Sequence, residues 1–269
     1  MTQLTQDGIL KLAPCFVPGS GDVVYSAHNI PNRVSLIRLK IADGTQEPLY
    51  PNMTDHQFDA AWSADGRYHC FAMSSTSPQL VLVIKNLQEN REAQFRPLDA
   101  RATARTPRFT PDGRRIVFTL SDGGGQQIAS VDVQGKNLQK LTASQGLNCW
   151  PAISPDGAKI AFGSSRDGHF QIYVMNSDGG NVTRLTNSPS RDMRPNWSPD
   201  GKRIAFTSTR DGNHEIYVMQ ADGSRPVRLT DHPERDDFPV WHPNGRQILT
   251  VSERAGRHDL YLIDVPATA

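Results

Sequence analysis

Four oxygen-bearing side chains occupy equivalent places in this chain of 269 residues: Gln57, Asn148, Asp192 and Asp236. Asn148, Asp192 and Asp236 each stand three residues before a proline, Pro151, Pro195 and Pro239, and Gln57 stands three before Ala60. Converging carboxylate and amide oxygens are the ligand set of a hard cation such as Ca²⁺. Asp192 and Asp236 are therefore the candidate metal ligands. The same atoms can instead cap their own loops through local backbone hydrogen bonds. Lys11 and Ala104 fill the slot elsewhere, which favours capping, so the expectation is no cofactor, with Ca²⁺ in the central channel as the alternative.

Two other groups carry chemistry. Arg166, Arg210 and Arg254 recur every 44 residues, with Asp167 and Asp211 beside the first two. Guanidiniums in an arc can clamp a carboxylate or another anion by bidentate contact. Structural pairing of each with an adjacent repeat is the simpler expectation. Arg194, Asp237, Phe238, Trp150 and Asp59, with Arg191 and Arg235, mix charge with aromatic surface, the composition of a protein or peptide contact. Catalytic signatures are missing: there is no GxSxG elbow, HExxH pair or P-loop. The eight histidines are scattered, and His214 and His258 are repeat equivalents. The Gly-rich stretch SDGGGQQ at 121–127 has no following helix to bind phosphate. A non-catalytic binding protein is expected. The alternative is a propeller lyase or hydrolase acting on a carbohydrate or lactone through a channel-bound metal.

The elements that must position these residues are repeats. WSPDGKRIAF at 197–206 returns as ISPDGAKIAF, FTPDGRRIVF, WHPNGRQILT and WSADGRYHCF, with turn glycines at 66, 113, 157, 201 and 245, spaced 47, 44, 44 and 44. A sixth, degenerate copy, PCFVPGSGDVVYS from Pro14, places its turn glycine, Gly21, 45 residues before Gly66. Residues 151–194 and 195–238 share 24 identities in 44 positions. Each unit reads as four short strands rich in Ile, Val, Phe and Tyr, separated by PDG, RDGN and ADGS turns. Four strands in about 40–45 residues is a β-propeller blade. The last copy lacks its fourth strand, and TQLTQD at 2–7 matches the fourth-strand sequence VRLTDH. The expectation is an all-β, six-bladed propeller of four antiparallel strands per blade. It is one domain over 1–269, its ring closed by residues 2–7, with inner strands starting near 14, 60, 107, 151, 195 and 239. Trp62, Phe109, Trp197 and Trp241 share one inner-strand position and should pack between blades. Loops into the inner strand and between strands two and three should share one face, where the candidate residues lie; the PDG turns should face the other way as scaffold.

WSPDGKRIAFTSTRDGNHEIYVMQADGSRPVRLT, residues 197–230, resembles the TolB-like propeller repeat, a relative of WD repeats in many bacterial proteins. The resemblance runs along the whole chain. It weakens in blades one to three, where AHNIPN, STSP and SDGGG replace SRDG. It implies a propeller, and it implies a protein partner, because TolB binds other envelope proteins in the periplasm. TolB also carries an N-terminal α/β domain for which these repeats leave no room. Serine peptidases that share the propeller add a catalytic domain that has no counterpart in the sequence.

The bulk properties fit a protein or peptide partner and a monomer. With 29 Lys+Arg against 28 Asp+Glu the net charge is +1, which gives no reason to expect nucleic acid or an acidic membrane as partner. No run of 18 apolar residues predicts membrane insertion. MTQLTQDGILKLAP lacks the basic and apolar regions of a signal peptide, so the chain reads as cytoplasmic, or as periplasmic if it is a trimmed mature form. Cys15, Cys70 and Cys149 have no metal or disulfide spacing and read as small buried hydrophobes.

Overall fold

The computed structural model describes residues 1–30, 32–74 and 78–266. Among these, 24 strands form six antiparallel sheets of four, the six blades of a β-propeller. Five sheets take their strands in chain order. The sixth joins Asp236–Trp241, Gln247–Arg254 and Arg257–Asp264 to the N-terminal strand Thr2–Gln3, which pairs with Leu262 and Tyr261. No helix among the described residues is long and apolar enough to cross a membrane. Two compact units result, Met1–Lys11 with Ala152–Ala269, and Leu12–Pro151. Residues 75–77 of the STSP segment and Pro31 of AHNIPN lie outside the described residues.

The repeated phrase is built around one hydroxyl. In blade five Ser198 Oγ donates to Asp200 Oδ1 at 2.6 Å and accepts from Arg203 N at 2.9 Å, closing the turn between the first two strands. Ser63 and Ser154 do the same in blades two and four, and Thr110 in blade three. The recurrent Leu-Thr has a parallel explanation. Thr230 Oγ1 donates to Glu215 and accepts from Ile216 N at 2.8 Å, tying a two-residue fourth strand to the third. Thr142, Thr186 and Thr5 repeat this with Gln127, Gln171 and Asp259. A strand too short to hold itself by ladder bonds is thereby fixed by a side chain.

Apolar residues of neighbouring sheets fill the seams. Ala161 and Ile172 of blade four meet Ile204, Phe206 and Met219 of blade five, with Trp197 against them. Trp241 of blade six is 4% exposed and packs on Ala205, Ile216 and Val218 of blade five. In the second unit Phe71 and Val83 meet Val24 and Leu36, and Phe109 and Phe118 meet Cys70 and Ile84. Cys70 and Cys149 are buried, Cys15 is half-buried and all three are free thiols.

Two turn glycines separate conformation from contact. Gly201 has φ of +69°, and an added Cβ would come no closer than 3.6 Å to Pro155. Gly223 has φ of +87°, and its Cβ would fall 2.6 Å from the backbone oxygen of Leu185. Gly201→Ala is expected to cost about 1–2 kcal/mol from the left-handed conformation alone. Gly223→Ala adds a backbone clash and should cost at least about twice as much in urea unfolding.

The first strands start earlier than the prolines indicate. They are Lys11–Phe16, His56–Trp62, Thr103–Phe109, Asn148–Ile153, Asp192–Trp197 and Asp236–Trp241, rather than starting near 14, 60, 107, 151, 195 and 239. A bulge explains the difference. Pairing in blade five passes from Met193↔Thr207 to Asn196↔Ala205, and blade six skips likewise between Asp237 and Val240. Proline lacks the ladder donor, but placed at the slip it lets the strand continue through it.

Candidate functional site

The first-strand bulges of blades two, three, five and six each hold one non-glycine residue in the left-handed region, and blades one and four have such a residue at the equivalent position. These are Ala13 (φ 46°), Asp59 (54°), Thr106 (54°), Trp150 (55°), Arg194 (53°) and Phe238 (57°). All but Asp59 stand directly before a proline. A bulky or β-branched residue held there costs on the order of 1–3 kcal/mol unless its surroundings hold it in place. Bulges re-aim side chains, so these positions decide what each blade presents.

The residues three before the proline positions, Lys11, Gln57, Ala104, Asn148, Asp192 and Asp236, are all buried, at 0–1% exposure. Arg210 Nη2 donates to Asp192 Oδ1 and Oδ2 at 3.0 and 2.9 Å. Arg254 Nη2 does so to Asp236 at 2.9 and 3.2 Å. These pairs lie within one blade rather than between adjacent blades. Arg210 also donates Nε to Ser208 Oγ at 2.8 Å and covers Tyr217, whose hydroxyl donates to Asp211. Arg166 repeats the pattern on Ser164 and Tyr173, and Tyr173 bonds Asp167. Burial raises the Asp236 carboxyl above its ordinary value, with repulsion from Glu215 adding to it and Arg254 pulling it only partly back. Both candidate metal ligands are thus engaged by guanidinium groups. No group of three or more His, Cys, Asp or Glu side chains placed to hold a metal ion occurs among the described residues.

Gln57 Oε1 accepts from Leu36 N at 3.2 Å, and Asn148 Nδ2 donates to Gln127 Oε1 at 2.9 Å. Lys11 Nζ reaches Asp7, the carbonyls of Ile9 and His258 at 3.1 Å, and Asp259 at 3.4 Å, joining the N-terminal segment to the last blade. Asp59 accepts from Arg105 and from Thr106 N, and Arg105 lies 4.6 Å over the Phe58 ring. Burial would raise the Asp59 carboxyl, but Arg105 holds it below the ordinary carboxylate range.

The densest arrangement surrounds Asp237. Its buried carboxylate accepts from Arg194 Nη1 at 3.2 Å, Thr207 Oγ1 at 2.8 Å, Phe238 N at 2.8 Å and Arg235 Nε at 3.0 Å, with His214 Nδ1 at 3.3 Å. Burial alone would raise this carboxyl. Arg194, then the His214 hydrogen bond and Arg235, hold it far below the usual range. Outside the carboxylate, the Arg194 guanidinium stacks 4.4 Å from the centre of the Phe238 ring. Both are half-buried, and Arg191 and Arg235 beside them are exposed. The supporting loops come from the two expected positions. Asn213, between strands two and three, donates to the carbonyls of His232 and Glu234 in the loop entering blade six, at 2.6 and 2.9 Å. Sequence reasoning singles out Arg194, Asp237 and Phe238 but gives no role to Thr207 or His214. Only the fold places these two on Asp237.

The TolB beta propeller domain family matches residues 19–194, and the Tricorn protease N-terminal beta propeller domain matches 176–267. A comparison with curated proteins returns no match. Among solved structures, the protein assigned as TolB in Agrobacterium tumefaciens is similar, at 26% identity over 82% of this chain and 81% of that one, with a TM-score of 0.70. TolB from Acinetobacter baumannii shares 24% over 86% of this chain and 60% of its own, with a TM-score of 0.67. An oligogalacturonate lyase from Vibrio parahaemolyticus shares 15% over 99% and 93%, with a TM-score of 0.62, a likeness of fold alone.

Proposed function

We propose, from the premise that the chain belongs to the TolB beta propeller domain family, that it is a non-catalytic scaffold binding a protein or peptide. The contact surface in this reading is the loop face of blades five and six. The observation that supports it is the Arg194–Phe238 stack, set at positive φ on two successive bulges and anchored from beneath by Asp237. Arginine and aromatic side chains held rigidly at a surface are the residue types that dominate binding energy. The strain at both positions puts them where backbone is held against its preference. Arg191 and Arg235 add positive charge around the stack, which favours a partner with an acidic rim.

The contact is tested by a photo-crosslinking residue at position 238, in cells making the full-length protein. A discrete adduct is expected, absent when the same residue replaces the fully exposed Leu98 and lost with Arg194→Glu. Labelling at 98 equal to that at 238, or an adduct indifferent to Arg194→Glu, would sink the assignment. Charge reversal at Asp192, Asp236 or Asp237 is no test of a surface, since all three are buried in ion pairs. If the partner is an envelope protein, as the TolB resemblance implies, the chain works in the periplasm, which cell fractionation checks.

The alternative, a metal-dependent lyase or hydrolase, requires Asp192 and Asp236 to exchange Arg210 and Arg254 for a cation. Ca²⁺ or Mn²⁺ at 100 times its Kd would stabilise the fold by about 2.7 kcal/mol. An unchanged Tm over a millimolar titration is the expected result, and a rise of several degrees would favour the enzyme.

A further inference from the structure

The seam between blades four and five carries a second feature, on the side of the PDG turns. A groove of about 670 Å³ is lined by Trp197, Val174, Asp156, Asp200, Asp222 and Lys159, among others. Its counterpart between blades five and six shows what shape of group such a seam takes. There Arg203 lies with its guanidinium 4.6 Å from the centre of the Trp241 ring and donates Nη2 to Gly245 O at 3.2 Å. Trp197 and Trp241 are repeat equivalents, as are Lys159 and Arg203. Lys159 lines the groove but leaves the Trp197 ring uncovered, its Nζ donating to Asn176 Oδ1 at 2.6 Å. The Trp197 indole N–H is spent on Ala152 O at 3.1 Å, which fixes the ring, and no cation among the described residues covers it. The charges differ as well. Asp200 stands at this seam where Asn244 stands at the next, and Asp156 and Asp222 flank it. The Ser154 and Ser198 hydroxyls hold Asp156 and Asp200 below the usual carboxylate range, so the rim is anionic at neutral pH.

We propose that this groove receives an arginine side chain from a basic segment of a partner protein, in the place that Arg203 fills within the chain one blade further on. The guest guanidinium stacks on Trp197 by cation–π attraction and pairs with Asp200 and Asp222. This site is separate from the Arg194–Phe238 surface and stands or falls without it.

The probe is the capped tripeptide acetyl-Gly-Arg-Gly-amide, titrated into the full chain while the four tryptophan indole resonances are followed by ¹H–¹⁵N NMR. A saturable shift confined to Trp197 is expected, absent with the citrulline analogue, which keeps the shape and loses the charge. Lys159→Arg should fill the groove from within and weaken the peptide about tenfold, the equivalent of one lost cation–π and carboxylate contact. Asp200→Asn should weaken it similarly while leaving the fold intact, as Asn244 does in blade six. Equal response to the citrulline peptide, or unchanged affinity in Lys159→Arg, would overturn the proposal. A shift reproduced in full by guanidinium chloride at the peptide's concentration would assign the groove to a small cation and also overturn it.

Discussion

Replacing Asp237 with alanine is expected to cost about 3–5 kcal/mol, the range for removing one partner of a buried ion pair. In a chain of this size each kcal/mol lowers Tm by about 2–4 °C, so the variant should melt on the order of 10 °C below the parent. Asp237 outranks the other acidic residues because one carboxylate accepts from Arg194, Arg235, Thr207 and the amide of Phe238 together. Asp192 and Asp236 each answer mainly to one arginine. Without Asp237, the Phe238 amide and the half-buried Arg194 lose their anchor, and the bulge has less to hold its left-handed residue. Asp237→Asn keeps the shape and some hydrogen bonds and should fall between parent and alanine variant. The folded carboxyl lies far below its unfolded value, so its contribution is complete above the ordinary carboxylate pKa of about 4 and is lost only as pH falls below that. The alanine penalty should therefore be constant between pH 6 and 8. A loss under about 1 kcal/mol in urea unfolding, typical of an exposed pair, would show that the network is solvated and anchors nothing.

The scaffold was far more legible in the sequence than the site. Ser198, Asp200 and Gly201 recur because one hydroxyl, one carboxylate and one left-handed glycine close each first turn, and Thr230 recurs because it fastens a fourth strand of two residues. Such local, repeated solutions leave a periodic trace. The bulges left a misleading one. A residue before proline is normally pushed toward extended conformations, so Pro195 and Pro239 looked like strand starts. Nothing in Arg194 or Phe238 favours positive φ; tertiary packing imposes it. Asp192 and Arg210 appeared as two separate candidates, a cation ligand and an anion clamp. They sit 18 residues apart, as do Asp236 and Arg254, and this joint recurrence was the available sign that they answer each other. Lys159 against Arg203 was equally visible as a substitution between repeats. Its meaning depended on where each side chain turned.

Acidification should expose a different buried group, His69. Its ring stacks 4.1 Å from Trp62, lies 5.3 Å from Phe71 and shares a 2.6 Å hydrogen bond between Nδ1 and the Tyr50 hydroxyl. Its Nε2 is buried without a partner among the described residues. Burial, and then the charge of Lys85, push its pKa from 6.5 down to about 3. Lys85 is itself paired to Glu92 at 2.7 Å and lies over the Tyr50 ring, so that charge stays beside the imidazole. The folded chain therefore keeps His69 neutral while the unfolded chain takes up a proton below about pH 6.5. Stability is full above that pH and falls toward pH 3 by about 1.4 kcal/mol per unit. From pH 6.5 to 5 the parent should lose roughly 2 kcal/mol more than His69→Phe. That variant keeps the aromatic stack and has nothing to protonate. At pH 8 it should cost only about 1 kcal/mol, for the lost hydrogen bond to Tyr50, so the two stability curves should converge or cross on acidification. Urea unfolding at pH 8, 6.5 and 5 decides the matter, because parallel curves would mean that His69 titrates as freely in the folded protein as in the unfolded chain. The carboxylates common to both proteins cancel in the difference, which assigns the slope to this one ring.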